Sequence, residues 1–234
     1  MFPVAILAGG LATRLHPVTE TVPKALLPLA GRPFIHWQLE SLARQGITQV
    51  VLCVGFLGEQ IETAIGDGAE YAMQVRYSFD GHPLLGTGGA LKHALPLLGE
   101  AFFVLYGDSY LACSFAAVQT AYEASRLPAL MTVFHNASRW DRSNVLWRDG
   151  ALVEYNKRAP RPDMLHVDYG LSVVSAHALA RWPDGAVFDL ADAYHELSLR
   201  GELGGFEVNE RFYEIGSLRG MEETERHLGA RVGQ

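Results

Sequence analysis

Two glycines, an arginine and a lysine near the start of the chain have the types and spacing to do chemistry. The apolar run Val4 to Leu7 continues as Leu7-Ala8-Gly9-Gly10-Leu11-Ala12-Thr13-Arg14-Leu15, followed by Pro17, Thr19 and Pro23-Lys24-Ala25-Leu26-Leu27-Pro28. A Gly pair after a buried strand lets the backbone come close to a ligand, and consecutive amides there can form a nest for an anion. Arg14 and Lys24 add positive charge, one as a planar fork and the other as a point charge. These features predict a phosphate-binding loop, with a plain tight turn as the alternative. The spacing is neither that of a Walker loop nor the dinucleotide Gly-x-Gly-x-x-Gly.

Further candidates follow later apolar runs. Asp108 comes directly after Phe102 to Tyr106, at the carboxyl edge where open α/β sheets collect ligands; its alternative is a cap on the next helix. Gly86 to Gly89 opens a helix, and small residues there permit close approach of a ligand. The nine histidines show no HxH or HExxH spacing, no Gly-x-Ser-x-Gly elbow occurs, and the four tryptophans are dispersed. A histidine metal cluster, a hydrolase nucleophile and a base-stacking platform are therefore not expected.

The elements that must position these residues alternate in type through the first half. Val4 to Leu7, Val50 to Val54, Val75 to Phe79 and Phe102 to Tyr106 read as strands. Helices are expected from Pro33 to Gly46, Glu59 to Ile65 and Gly89 to Leu98, with Pro96 ending or kinking the last. Continuous apolar strands separated by helices predict a parallel sheet covered on both faces, the doubly wound architecture. In the second half Ser114 caps a helix to about Arg126, and Ala129 to Phe134, Asn144 to Trp147, Leu152 to Asn156 and His166 to Val174 read as strands. Arg148-Asp149-Gly150 marks a hairpin turn, so this half is antiparallel-rich. A helix from Asp189 to Leu199 precedes two short strands about Asn209, and Ser217 caps a last helix ended by Gly229.

The 234 residues, 49% hydrophobic and 19% charged, fit one ordinary globular domain, 1–234. A net charge of −7 has the wrong sign for a generic nucleic-acid or anionic-membrane binder, so an anionic substrate must meet a local basic site. Cys53 and Cys113 lie in apolar stretches without CxxC spacing and read as buried free thiols. No run approaches a membrane span, and Gly9, Gly10 and Arg14 interrupt the N-terminal apolar run too early for a signal peptide, so a cytoplasmic location is expected.

The motifs taken together resemble the sugar-1-phosphate nucleotidylyltransferases, whose signature is close to Gly-Gly-x-Gly-x-Arg-Leu-x-Pro-x-Thr, then Pro-Lys-x-x-x-Pro. Ala12 stands where the third glycine is usual. The resemblance recurs in Leu85-Gly86-Thr87-Gly88-Gly89-Ala90-Leu91, Gly107-Asp108, Glu154 to Lys157, Asp168-Tyr169-Gly170 and Phe212 to Gly216, and looks most like the manno-heptose-1-phosphate and mannose-1-phosphate guanylyltransferase branch. It implies a Rossmann-like, mixed, mainly parallel sheet with a nucleotide-binding half, 1–113, and an antiparallel sugar-phosphate-binding half, 114–234. It implies catalytic roles for Arg14, Lys24 and Asp108, and nucleotide contacts from Leu7, Gly9, Gly10, Ala12, Thr13, Gly86 and Gly88. Sugar-phosphate contacts would come from Asn156, Lys157, Asp168 and Gly170, with Asn156 in place of a usual Glu and Asp168 in place of a usual Asn. Mg²⁺ or Mn²⁺ would sit on Asp108 and Glu214, the latter replacing a usual Asp. The partners implied are a nucleoside triphosphate, GTP before UTP, dTTP or CTP, and a mannose-type or heptose 1-phosphate, with self-association open. A non-catalytic nucleotide-sugar-binding subunit is the alternative on the same fold.

Overall fold

The apolar run Val4–Leu7 forms a strand, β1, whose residues alternate between two cores: Val4 and Ile6 face one, and Ala5 faces the other. The same alternation recurs at Val50, Leu52 and Val54 against Val51 and Cys53, and at Phe103 and Leu105 against Phe102 and Val104. A strand covered on both faces needs apolar residues at every position, which is why these runs are unbroken in sequence.

The computed structural model describes residues 1–11, 15 and 17–232. Ala12, Thr13 and Arg14 of the expected phosphate loop lie outside the described residues. After β1 the strands are β2 (Pro28–Leu29), β3 (Arg32–Pro33), β4 (Gln49–Val54), β5 (Gln74–Phe79), β6 (Ala101–Tyr106) and β7 (Ser109–Tyr110). The second half adds β8 (Ala129–His135), β9 (Val145–Arg148), β10 (Ala151–Tyr155), β11 (His166–Ser175), β12 (Leu203–Val208) and β13 (Tyr213–Glu214). The helices are α1 (Phe34–Arg44), α2 (Gly58–Ile65), α3 (Gly86–Leu98), α4 (Phe115–Ser125), α5 (Leu190–Leu199) and α6 (Leu218–Val232).

The main sheet runs β10-β9-β11-β6-β1-β4-β5, with β8 pairing β11 and β12. β1, β4, β5 and β6 pair in parallel, whereas β11 is antiparallel to β6, β8 and β9. Helices α1, α2 and α4 pack on one face, and α3 and α5 on the other. The mixed, mainly parallel, doubly wound sheet is as expected, as is the antiparallel second half. The Arg148–Ala151 turn closes a hairpin with Asp149 at φ 51° and Gly150 at φ 77°, the left-handed pair that such a turn requires.

Most boundaries lie within a residue or two of the sequence reading, and the larger differences are in two helices. α3 starts at Gly86 rather than Gly89, and it passes through Pro96 to Leu98. Pro96 sits in the last turn, where one missing N–H leaves the packing of Leu91, Ala94 and Leu98 intact. α6 continues past Gly229, which faces open space. The two short strands expected about Asn209 are β12 and β13, whereas the β2–β3 hairpin and β7, the partner of β13, have no periodicity to predict them; a third apolar cluster of Leu27, Leu29, Phe34, Trp37, Tyr110, Ile215 and Leu228 holds both pairs. This cluster anchors the segment that carries Lys24.

Candidate active site

Strand β1 lies between β4 and β6, so the chain leaves it in opposite directions and opens a crevice at the strands' carboxyl ends. A cleft of about 260 Å³ occupies that crevice, walled by Leu7, Cys53 and Tyr106 at the strand ends. The two glycines after β1 do different jobs. A Cβ on Gly9 would lie 2.9 Å from the Gly55 nitrogen, so Gly9 lets β1 pack against the turn after β4. Gly10 has nothing within 4 Å of its would-be Cβ and faces the cleft openly. Cys53 and Cys113 are buried free thiols, as expected, and burial holds both thiols protonated.

Lys24 and Asp108, 84 residues apart, meet in this cleft, with Lys24 Nζ donating to Asp108 Oδ2 at 2.9 Å. Lys24 is carried by a short 3-10 turn, Lys24–Leu26, after Pro23. Asp108 follows Gly107, where a Cβ would lie 2.7 Å from the Leu7 carbonyl oxygen, so only glycine permits the turn out of β6 beside β1. A cation and a carboxylate paired in the cleft lining suit a ligand that carries phosphate and a divalent cation.

The glycines at the start of α3 are only partly on the cleft. Gly86 lines it, as do Thr87 and Ala90. Gly88 does not: its N–H donates to the Phe188 carbonyl at 3.0 Å, and a Cβ would lie 2.2 Å from the Phe188 ring. The room left by Gly88 thus admits Phe188 from the segment before α5, not a ligand. Thr87 Oγ1 donates to Asp189 Oδ1 at 2.8 Å and accepts from Leu190 N–H, which ties α3 to the cap of α5. Opposite these residues stands Asp80. Its Oδ1 is buried with no hydrogen-bond partner among the described residues, and burial raises its carboxyl pKa against the opposing Leu85 N–H.

In the second half, Asn156 braces its own turn, accepting from Ala159 N–H at 2.9 Å and donating to Glu154 at 3.2 Å. Lys157 is exposed, and its charge pulls down the pKa of both Asp168 and Asp189. Gly170, at φ 102°, forms the irregularity in β11 between Asp168 and Ser172, where its N–H donates to Asp168 Oδ1 at 3.0 Å. The Tyr106 hydroxyl, from the cleft wall, donates to Asp168 Oδ2 at 3.3 Å. Burial pushes the Asp168 carboxyl up to about 6, with the Gly170 N–H, Lys157 and Tyr106 opposing. Tyr106 therefore joins the cleft to the expected sugar-phosphate residues; sequence alone had shown it only as the last residue of an apolar strand.

Glu214 is the strand partner of Ser109, next to Asp108, but its carboxylate turns to the segment before α6. Its carboxylate accepts from Gly216 N–H and, at 2.7 Å, from the Ser217 hydroxyl, at the start of α6. It lines a separate small cavity with Trp140 and Arg211. Among the described residues no group of three or more His, Cys, Asp or Glu could hold a metal ion. Mg²⁺ needs only one or two carboxylates alongside substrate phosphates, so Asp108 fits such an ion, while the Glu214 carboxylate is bonded to Gly216 and Ser217.

Comparison with known proteins identifies the family and the fold. A family model described as nucleotidyl transferase matches residues 4–141. The chain is 45% identical over 118 residues to the N-acetylmuramate alpha-1-phosphate uridylyltransferase of Neisseria meningitidis, a match covering 50% of this chain and 51% of that protein. It is 32% identical over 181 residues to the glucose-1-phosphate thymidylyltransferase of Streptomyces antibioticus, covering 75% and 51% respectively. It is 38% identical over 106 residues to the D-glycero-alpha-D-manno-heptose 1-phosphate guanylyltransferase of Campylobacter jejuni, covering 45% and 47%. The chain spans about half the length of the curated relatives it matches. Among solved structures, a Bacillus anthracis chain described as a candidate glucose-1-phosphate thymidylyltransferase superposes with a TM-score of 0.83 over 98% of this chain and 95% of that one. At 18% identity that likeness is one of fold.

Proposed function

The chain belongs to the nucleotidyl transferase family, and from that premise we propose that it transfers a nucleoside monophosphate from a nucleoside triphosphate to a sugar 1-phosphate, releasing pyrophosphate. The observation that carries this reading is the Lys24–Asp108 pair, which lines the same cleft as Gly10. A sugar-phosphate oxygen attacks the α-phosphorus in line, and the bond from that phosphorus to the leaving pyrophosphate oxygen breaks. The attacking phosphate is already mostly dianionic near neutrality, so no strong base is required. The protein's task is to hold two repelling anions in line and to offset charge on the α-phosphoryl group.

Lys24 supplies positive charge to the transferring group, and the Gly10 amide faces the phosphates. Arg14 belongs to the same proposal as a clamp on the β and γ phosphates. A divalent cation held by Asp108 would neutralise phosphate charge when bound. Lys157, with Asp168 behind it, meets the sugar phosphate. The Glu214 carboxylate is bonded to Gly216 and Ser217. The reaction draws on intracellular nucleoside triphosphates, which is the ground for expecting it in the cytoplasm.

For the nucleotide we propose GTP, with a mannose-type or heptose 1-phosphate. The support is Asp80, whose unpartnered buried Oδ1 wants an N–H donor. Guanine presents N1–H and the N2 amino group side by side, whereas uracil presents one N–H between two carbonyl oxygens that a carboxylate repels. The 45% identity to a uridylyltransferase favours a second reading, UTP. Pyrophosphate release from five nucleotides against several sugar 1-phosphates decides between them. GTP should lead, and Asp80→Asn should narrow its advantage. A clear UTP or dTTP preference, unchanged in Asp80→Asn, would overturn the base assignment while leaving the reaction class intact.

A further inference from the structure

Helix α1 turns an apolar face toward the sheet, and one of its buried residues is polar. Gln38 is 2% exposed and sits among Ile35, Trp37, Leu39 and Leu42 of the same helix, all buried. Its side-chain amide nitrogen donates to the Tyr106 carbonyl at 3.0 Å and to the Ser109 carbonyl at 2.8 Å. Those two carbonyls bracket Gly107 and Asp108.

Within the turn the Ser109 hydroxyl donates to Asp108 Oδ1 at 3.4 Å, and two backbone bonds run to other elements. Gly107 N–H donates to the Leu7 carbonyl at 3.0 Å, and Ile215 N–H donates to the Asp108 carbonyl at 2.9 Å. The backbone that carries Asp108 is thus held by β1, by the segment after β13 and, on both flanks, by one side chain of α1. Asp108 sits in the break between the β6 ladder, which ends at Tyr106, and the two-residue β7–β13 pair, so the aim of its carboxylate depends on such contacts. Gln38 Oε1, meanwhile, has no partner among the described residues. A buried amide with an unpaired acceptor is an unfavourable core residue, and an apolar chain of the same size would fill the space without that cost. What such a chain could not do is satisfy the Tyr106 and Ser109 carbonyls together.

We propose that Gln38 is a positioning residue for Asp108, its amide group clamping the Tyr106–Ser109 turn so that the carboxylate stays opposite Lys24. The claim that this clamp serves turnover rests on the nucleotidyl-transfer reading above; the claim that it orders the turn does not.

The test uses Gln38→Met, which keeps length and removes the donors, and Gln38→Asn, which keeps an amide one methylene short of the carbonyls. Hydrogen exchange of the 106–111 segment should speed at least tenfold in both, with β1 protection retained. With nucleotide and sugar 1-phosphate, kcat should fall 10- to 100-fold while both KM values stay within threefold. In an Asp108→Asn background the same changes should lower kcat no further, because the clamp acts through that carboxylate. Should Gln38→Met not fold, Gln38→Asn carries each measurement. Unchanged exchange at 106–111 overturns the clamp, and a kcat loss additive with Asp108→Asn overturns its action through Asp108. If wild-type protein turns over no sugar phosphate, the reading of the site fails, and the exchange measurement still decides whether Gln38 holds the turn.

Discussion

Lys24 Nζ lies 2.9 Å from Asp108 Oδ2, so the cation and the carboxylate in the cleft lining offset each other's charge. Both side chains are partly exposed, at 19% and 31%, so the pair adds at most about 1 kcal/mol to stability. Its importance lies in what each partner does once phosphate enters. Lys24→Ala should lower kcat by ~10² to 10³, the effect of removing one preorganised donor, about 3 kcal/mol. Asp108→Asn should nearly abolish turnover and make excess EDTA irrelevant to what remains. Metal-free nucleotide binding should survive or tighten in Asp108→Asn, because Lys24 is then uncancelled. Calorimetry beside steady-state kinetics checks the split.

Lys157 belongs to the other half of the molecule and should affect the other substrate. Lys157→Ala should raise KM for the sugar phosphate about tenfold, with KM for the nucleotide little changed, because one phosphate loses one charged donor. Varying each substrate in turn measures this. A defect confined to the nucleotide KM would put the lysine on the wrong ligand.

Asp168 titrates in an accessible range. Its carboxyl is raised from 3.8 to about 6 by burial, so the folded state holds the proton more tightly than the unfolded chain does. The stability it contributes is therefore complete below about pH 4 and is lost as pH rises through about 6. Asp168→Asn removes that dependence. Its Tm should exceed wild type by roughly a few degrees at pH 7.5, with the gap closing toward pH 4. A gap that widens on acidification would contradict the assignment.

Gly88 is expected to matter for folding rather than for nucleotide contact. Gly88→Ala drives a methyl into the Phe188 ring, and such overpacking typically costs about 1 to 3 kcal/mol. Denaturant unfolding should show that loss, while KM for the nucleotide in the folded fraction stays near wild type. A large nucleotide KM effect without destabilisation would return Gly88 to the cleft.

The main strands were legible because burial on both faces leaves an unbroken apolar signature, and the helices because their caps and faces repeat. β2, β3 and β7 were not, since two-residue strands have no period to read. In the site, Lys24 and Asp108 follow recognisable motifs. Gly88 and Glu214 also match motifs, yet their local partners are Phe188 and the start of α6, contacts between segments that one sequence does not display. Gln38 and Tyr106 had no motif at all. A polar residue on an otherwise apolar helical face was the only available signal for Gln38.

The central claim is that this cleft moves a nucleoside monophosphate onto a sugar phosphate. Incubating the protein with a nucleoside triphosphate labelled at the α-phosphorus, a mannose-type or heptose 1-phosphate and Mg²⁺ tests it directly. The label should appear in a nucleoside diphosphate sugar with one pyrophosphate released per transfer, and Asp108→Asn should suppress both. Label recovered only as free nucleoside mono- or diphosphate, at the same rate with and without the sugar phosphate across the full panel of nucleotides and sugars, would contradict it.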